Sequence, residues 1–372
     1  MIDSQVLQHA RVLKDIGIAE FSIVTLACSD AAYAQAHEQL QRSKEVAQCD
    51  IKIIRGIRPG IPFSEWINGK KLVSFAAAEK LEFDKIHART EYTAAVCGGL
   101  VRETGKPLIW DCRGDFFAER VDRIPYGLKR SFMRFVVGAV YQRRVRMVAR
   151  TAESAIFVTS VLRERMEKFW GKKHSVVIPG AAAGNLFYFD PVLRRTTREK
   201  LGIKPATLVL VYGGSMLEYQ KFEESLGYFN QLRDSGIDVH YLVVTNQRRE
   251  AAKKAGLDGD VTIISARLEE MNEYLNAGDA AFMVRDYLPL NAVAFPTKFS
   301  EYGLCGLPVI MNSSVPDAYK LGLEAGNIID CHNIDRIKPF SDAERTRVGE
   351  FYRARVTKEA QATLYNGLYQ KA

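Results

Sequence analysis

The sequence predicts an α/β protein made of two doubly wound parallel-sheet domains, and three observations carry that reading. Short β-branched runs alternate with helical patterns along the whole chain, as strand, crossover helix and parallel strand do. At 372 residues the chain exceeds what one hydrophobic core usually organises. A stretch punctuated by glycine and proline, Ile178-Pro-Gly-Ala-Ala-Ala-Gly-Asn-Leu-Phe-Tyr-Phe-Asp-Pro191, parts the strands into two sets, each long enough for its own sheet. The expected domains are residues 1–178 and 192–340, joined by a linker at 179–191 and followed by a helical tail at 341–372. Between two such domains a concave cleft is expected, able to close on a ligand by hinge motion.

Ser4 to Ile16 reads as an amphipathic helix, with Val6, Ala10 and Leu13 on one face and Gly17 to end it. Strands follow at Phe21 to Leu26, Ile51 to Arg55, Lys85 to Ala88, Leu108 to Asp111, Ala155 to Thr159 and Val176 to Pro179. The second set is Leu208 to Tyr212, Val239 to Thr245, Val261 to Ile264, Ala280 to Val284, Val309 to Asn312 and Asn327 to Asp330. A helix is expected from Pro296 to Cys305, because proline suits the first helical position and Gly306 with Pro308 supplies the stop. The tail from Asp342 to Leu368 is helical in composition.

With 47% hydrophobic and 26% charged residues, the chain is ordinary for a globular protein. Its six cysteines are scattered, with no C-x-x-C and no zinc-site spacing, which points to a reducing, cytoplasmic compartment; no metal or other cofactor is expected. No apolar run approaches the ~18 residues of a membrane span. Asp3, Gln5, His9 and Arg11 stand where a secretion signal would be apolar.

The formal net charge of +8 is concentrated. From Arg123 to Arg150 there are eight lysines or arginines and no acid, interleaved with Phe132, Met133, Phe135, Val136, Val137, Val140 and Tyr141. A basic helix with an apolar face suits peripheral contact with an anionic membrane, each cation adding roughly 1 kcal/mol. The alternative is a surface helix packing its apolar side inward. Nucleic acid ranks last, because no aromatic-plus-glycine binding motif accompanies the charge.

The segment from Asn291 to Ile310 carries the chemistry. At the start of the expected helix the backbone N–H groups of Thr297, Lys298 and Phe299 would be free, a phosphate-binding arrangement to which Lys298 adds a full charge. Glu301, three residues after Lys298 and four after Thr297, lies on the same face, where a carboxylate can accept hydrogen bonds from vicinal hydroxyls. The plain reading is a solvated Lys–Glu pair on an ordinary helix.

Pro296, Lys298, Glu301, Tyr302, Gly306, Pro308, Val309 and Ile310 fall at the spacing P-x-K-x-x-E-Y-x-x-x-G-x-P-V-I. The segment thereby resembles the signature of family 4 glycosyltransferases, retaining enzymes of the GT-B fold with two Rossmann-like domains. The resemblance implies that Glu301 binds the ribose of a nucleoside-diphosphate sugar. Arg285, in Phe-Met-Val-Arg285-Asp, matches an arginine found in one branch just before this signature. Val-Tyr-Gly-Gly214-Ser215 with Lys221 stands where many members hold the pyrophosphate with an Arg and a Lys. Ser215 replaces that Arg, leaving Arg285 to restore the charge, and Val293 stands where the first Glu of an E-x7-E motif would be.

In the first half, Asp84-Lys-Ile-His87-Ala-Arg89 resembles the family's D-x-x-H-x-H strand end, and Asp111-Cys-Arg113-Gly114-Asp115 its D-x-R-G motif. The resemblance makes His87 a hydrogen-bonding partner for a sugar hydroxyl, Arg89 and Arg113 phosphate ligands, and Gly114 a point of close approach. It also implies a tail, residues 341–372, that crosses back to the first domain, and an opening strand that the start of this sequence does not supply. The expectation is that the protein begins upstream of Met1 or is a degenerate copy.

The reaction so implied is glycosyl transfer to a glycan or lipid-linked acceptor, with retention and without a metal. Arg285, Lys298, Lys221 and the helix N–H groups neutralise the leaving diphosphate, and His87, Arg285 and Lys298 are the candidate catalytic residues. Two alternatives stand beside it: a sugar-nucleotide 2-epimerase, and a catalytically impaired sugar-nucleotide-binding protein. A dehydrogenase is disfavoured, because Gly213-Gly214-Ser215 is not G-x-G-x-x-G.

Overall fold

The computed structural model describes residues 6–118, 128–171, 173–256 and 259–370. Two compact units result, one of Met1–Pro179 with Gln361–Ala372, the other of Gly180–Ala360. Each of the twelve expected strands is present, with ends moved by at most two residues. Parallel strands covered on both faces need continuous apolar side chains, which is why such short runs could be found.

In the first unit, β1 (Ser22–Ala27) pairs in parallel with β2 (Asp50–Arg55), and β3 (Ile86–Arg89), β4 (Leu108–Cys112), β5 (Ser154–Phe157) and β6 (Ser175–Val177) form a separate parallel ladder in that order. The single sheet expected from six strands is thus in two pieces among the described residues. The second unit has one six-stranded parallel sheet of β7 (Leu208–Gly213), β8 (Val239–Val244), β9 (Val261–Ile264), β10 (Ala280–Phe282), β11 (Val309–Met311) and β12 (Ile328–Asp330), ordered β12-β11-β10-β7-β8-β9. There β7 pairs with both β8 and β10; among the described residues of the first unit no strand pairs with both β1 and β3. Strands β7 and β8 are buried throughout.

The helix Gln8–Asp15 sends Leu13 into a core with Ile109, Ile156 and Ile178, to which Ala362, Tyr365 and Leu368 of the last helix, Ala362–Tyr369, also belong. The preceding helix, Asp342–Val356, which the sequence reading placed in the returning tail, clusters instead with the second unit. Its fully buried Arg345 donates to the carbonyls of Cys305, Asn276 and Gly278, satisfying the ends of two other helices.

The basic segment forms the helix Leu128–Thr151; residues 123–127 lie outside the described ones. Tyr141, Val145 and Val148 are buried, while Phe132 (68% exposed), Phe135 (76%) and Val140 (51%) face outward. Arg144 is not part of the basic surface. It is buried between Glu65 (2.6 Å) and Glu91 (3.4 Å).

Candidate functional site

The order of the second sheet changes direction between β7 and β10, and in parallel sheets ligands bind beyond the strand ends at such a switch. Gly213 closes β7, Gly214 follows it, and Arg285 stands just past the end of β10. The helix Thr297–Leu304 comes next along the chain. Pro296 caps it in an extended conformation, and Gly306 leaves it at φ +67° with its α-carbon so close to the Arg345 backbone that a Cβ would overlap it. Gly303 is likewise pressed against the Tyr352 ring. Phe299, Ser300, Tyr302, Gly303 and Leu304 are buried, and the Ser300 hydroxyl donates to Gly180 O at 2.6 Å. Thr297, Lys298 and Glu301 therefore share the remaining, half-buried face.

Of the three N–H groups expected to be free, two remain so. Phe299 N–H closes a tight turn on Pro296 O at 3.0 Å, while no acceptor among the described residues takes those of Thr297 and Lys298. Lys298 Nζ donates to Gly213 O (3.2 Å) and to Gln220 Oε1 (2.7 Å). Arg285, only 4% exposed, donates through Nη2 to the same Gln220 oxygen at 2.7 Å and through Nη1 to its neighbour Val284 O. Two cations thus converge on one neutral amide oxygen, beside Gly214. Neither makes an ion pair with a carboxylate among the described residues.

The electrostatics follow from that arrangement. Burial, then the charge of Arg285, push the Lys298 ammonium well below the usual lysine range, against the pull of Glu301. Burial also lowers Arg285, opposed by Tyr212, Tyr302 and Tyr219. Burial raises the Glu301 carboxyl from 4.5 to about 7, although Lys298 and Lys358 draw it down. Its side chain makes no hydrogen bond among the described residues. A diphosphate next to the two cations would reverse the first two penalties, since paired buried charges cost far less than unpaired ones.

Other expected residues are placed differently. The Lys221 ammonium is taken by Asp286 at 2.6 Å, with Glu224 at 3.8 Å, so its charge is neutralised by the residue following Arg285. Ser215 accepts from Tyr212 Oη through its carbonyl at 2.7 Å. Val293 is fully buried. Gln220 and Asp286 were missed in the sequence; their only signal was adjacency to Lys221 and Arg285.

The first unit gathers His87, Arg89, Asp111 and Arg113 at the ends of β3 and β4. Asp111 is buried, 2.6 Å from Arg113 Nε and 3.3 Å from His87 Nε2. Burial alone would raise its carboxyl, but Arg113, the His87 hydrogen bond and Arg89 outweigh that and hold it well below the usual carboxylate range. His87 Nδ1 meets the Tyr369 hydroxyl, and Arg113 Nη2 donates to Tyr365 Oη at 3.3 Å. Both ring nitrogens of His87 are thus engaged by protein, and the cluster holds the last helix. Gly114 follows, its carbonyl facing Cys112 Sγ at 3.6 Å. Asp330, Cys331 and His332 are the one group of three potential metal ligands among the described residues, but Asp330 already accepts from the His332 backbone.

No protein family model matches the chain, and no curated protein matches it in sequence. Solved structures are similar to it in fold, along nearly its whole length. HepE of Anabaena, in complex with UDP-glucose, is similar with a TM-score of 0.67 at 14% identity, over 98% of this chain and 95% of its own. Sucrose-phosphate synthase of Thermosynechococcus elongatus is similar with a TM-score of 0.64 at 16% identity, over 97% and 96%. WaaG, a glycosyltransferase involved in lipopolysaccharide biosynthesis, reaches 0.55 at 15% identity, over 98% and 91%. The chain has the GT-B fold. Within that fold, Gly214 and Arg285 follow the C-terminal ends of the central strands β7 and β10, and Lys298 reaches Gly213 O at the end of β7.

Proposed function

We propose that this GT-B protein is a retaining glycosyltransferase of the family 4 type, moving a hexose from a nucleoside-diphosphate sugar to a glycan or lipid-linked acceptor in cell-surface polysaccharide synthesis. The observation that carries the reading is the pair Arg285 and Lys298, two buried or half-buried cations held by one neutral oxygen at the switch point of a parallel sheet. A diphosphate is the ligand whose charge and size such a pair fits, and the N–H groups of Thr297 and Lys298 add two donors. Glu301, whose side chain makes no hydrogen bond among the described residues, is the ribose ligand. The UDP-glucose complex of HepE supports a sugar nucleotide.

In the reaction, Arg285 and Lys298 stabilise the charge that builds on the departing diphosphate, so no metal ion is invoked. The departing phosphate takes the acceptor proton. His87, already bonded on both nitrogens, positions the last helix; it takes part in transfer only if Tyr369 gives way to a sugar hydroxyl.

The test is a thermal-shift screen with UDP-, GDP- and ADP-sugars, followed by product analysis. One of them is expected to raise the melting temperature by several degrees, and to yield a glycosylated product with an added acceptor. No shift with any donor overturns the reading. Free UDP with an epimerised sugar, and no acceptor product, would make the protein an epimerase.

We place the acceptor at a cytoplasmic membrane surface, met through the exposed face of Leu128–Thr151. Supporting this are Phe132, Phe135 and Val140 beside exposed Arg134, Arg143, Arg146 and Arg150, without an acid on the helix. No described helix is long and apolar enough to cross a membrane. Changing Arg134, Arg143 and Phe135 together to Glu is expected to reduce cosedimentation with anionic liposomes at least about fivefold. Equal sedimentation would remove this surface from the proposal.

A further inference from the structure

We infer that Gln220 is an internal stand-in for a phosphate oxygen: its carboxamide holds Arg285 and Lys298 when no ligand is bound and is displaced when a diphosphate arrives. This rests on the reading of those two cations as the diphosphate site.

The geometry makes the exchange necessary. An amide oxygen has two lone pairs, and Gln220 Oε1 spends both, one on Arg285 Nη2 and one on Lys298 Nζ, each at 2.7 Å. A ligand oxygen that bridged the same two donors would need the position that Gln220 holds. Gly214 lines the other side: a Cβ there would sit 3.3 Å from Gln220 Oε1 and 3.6 Å from Lys298 Nζ, so the missing side chain leaves backbone rather than bulk against the incoming phosphates.

Displacement is local. Gln220 ends a short 3₁₀ turn, Glu218–Gln220, in which Tyr219 is exposed, as is Leu217 just before it, so its side chain can swing outward without unpacking a core. The turn itself stays fastened, by Gln220 N–H to Leu217 O at 2.8 Å and by the Lys221–Asp286 ion pair next to it.

The arrangement has a physical purpose. Two cations this close repel, and without an acceptor each would be an unpaired charge away from water. A neutral oxygen relieves that penalty in the free protein yet yields to a ligand carrying full negative charge. The consequence is an affinity below that of a site held open, because the binding-competent arrangement is only part of the population.

The experiment compares wild type with Gln220→Ala and Gln220→Glu, using inorganic pyrophosphate and UDP in titration calorimetry and ligand-free thermal melts. Gln220→Ala is expected to melt at a lower temperature without ligand and to bind pyrophosphate several-fold more tightly. Gln220→Glu is expected to melt higher and to bind both probes at least about tenfold more weakly, since a carboxylate pairs with both cations and resists displacement. A Gln220→Ala protein that binds pyrophosphate no better than wild type overturns the inference, as does a Gln220→Glu protein of unchanged affinity. If Gln220→Ala does not fold, Gln220→Glu alone decides. Wild type that binds neither probe sinks the donor-site reading itself, a result distinct from equal binding by all three proteins.

Discussion

Replacing Arg285 by methionine is expected to lower affinity for pyrophosphate and for the nucleotide by about a hundredfold to a thousandfold while leaving the free protein as stable as before, or more so. Arg285 is the more deeply buried of the two cations, and among the described residues its side chain donates only to Gln220 and to its own neighbouring carbonyl. Removing it deletes charge-assisted bonds to the diphosphate and leaves phosphate oxygens facing an apolar chain, a change of roughly 3–4 kcal/mol. In the free protein the balance runs the other way. Methionine fills similar volume without the desolvation that lowers Arg285 and that, through its charge, also depresses Lys298. Replacement of a poorly compensated buried charge by a hydrophobe is commonly neutral or stabilising. Calorimetric titration and thermal melts on one preparation check both halves. A variant that loses stability and keeps its affinity would show Arg285 to be a structural residue.

Glu301→Gln is expected to abolish most of the pH dependence of stability between pH 5 and 8 and to weaken nucleotide binding. The carboxyl is raised in the folded protein, from 4.5 to about 7, chiefly by burial. A raised carboxyl means that the folded state binds the proton more tightly than the unfolded state does. Stability is therefore fully present below about pH 4.5 and is lost as pH climbs to about 7, after which the loss is constant. For a half-buried group the loss is at most about 3 kcal/mol. Glutamine keeps the shape and never ionises, so it should match wild type near pH 5 and exceed it at pH 8. It retains one acceptor where the carboxylate offers two, so binding to a ribose should fall about tenfold or more. Urea titrations at both pH values decide the first point. Parallel slopes for the two proteins would mean that Glu301 is solvated after all, and with it the proposed ribose contact would fail.

These two residues also show how far the chain could be read before folding. The helix Thr297–Leu304 was announced by Pro296 and Gly306, whose constraints on φ are properties of single residues. The shared face of Thr297, Lys298 and Glu301 followed from helical spacing. The charge partners did not. Lys221 was expected on phosphate and is held by Asp286; Arg144 was counted with the basic surface and is buried between Glu65 and Glu91. His87 was expected to face a sugar and instead meets Tyr369, 282 positions away. Gln220, the acceptor common to both cations, has no charge and no motif to mark it.

From its sequence alone this protein was committed to twelve short apolar strands and a helix that follows a proline, carries Lys298 in its first turn and ends just before Gly306, because stereochemistry and hydrophobic period act over a few neighbouring residues. Folding alone decided that β7 and β10 lie side by side, that Arg285 and Lys298 meet across Gln220, and that Glu301 is withdrawn far enough from water to titrate near neutrality. Ion pairing and desolvation depend on distance through space and on what surrounds a group, and neither quantity is written in the order of residues.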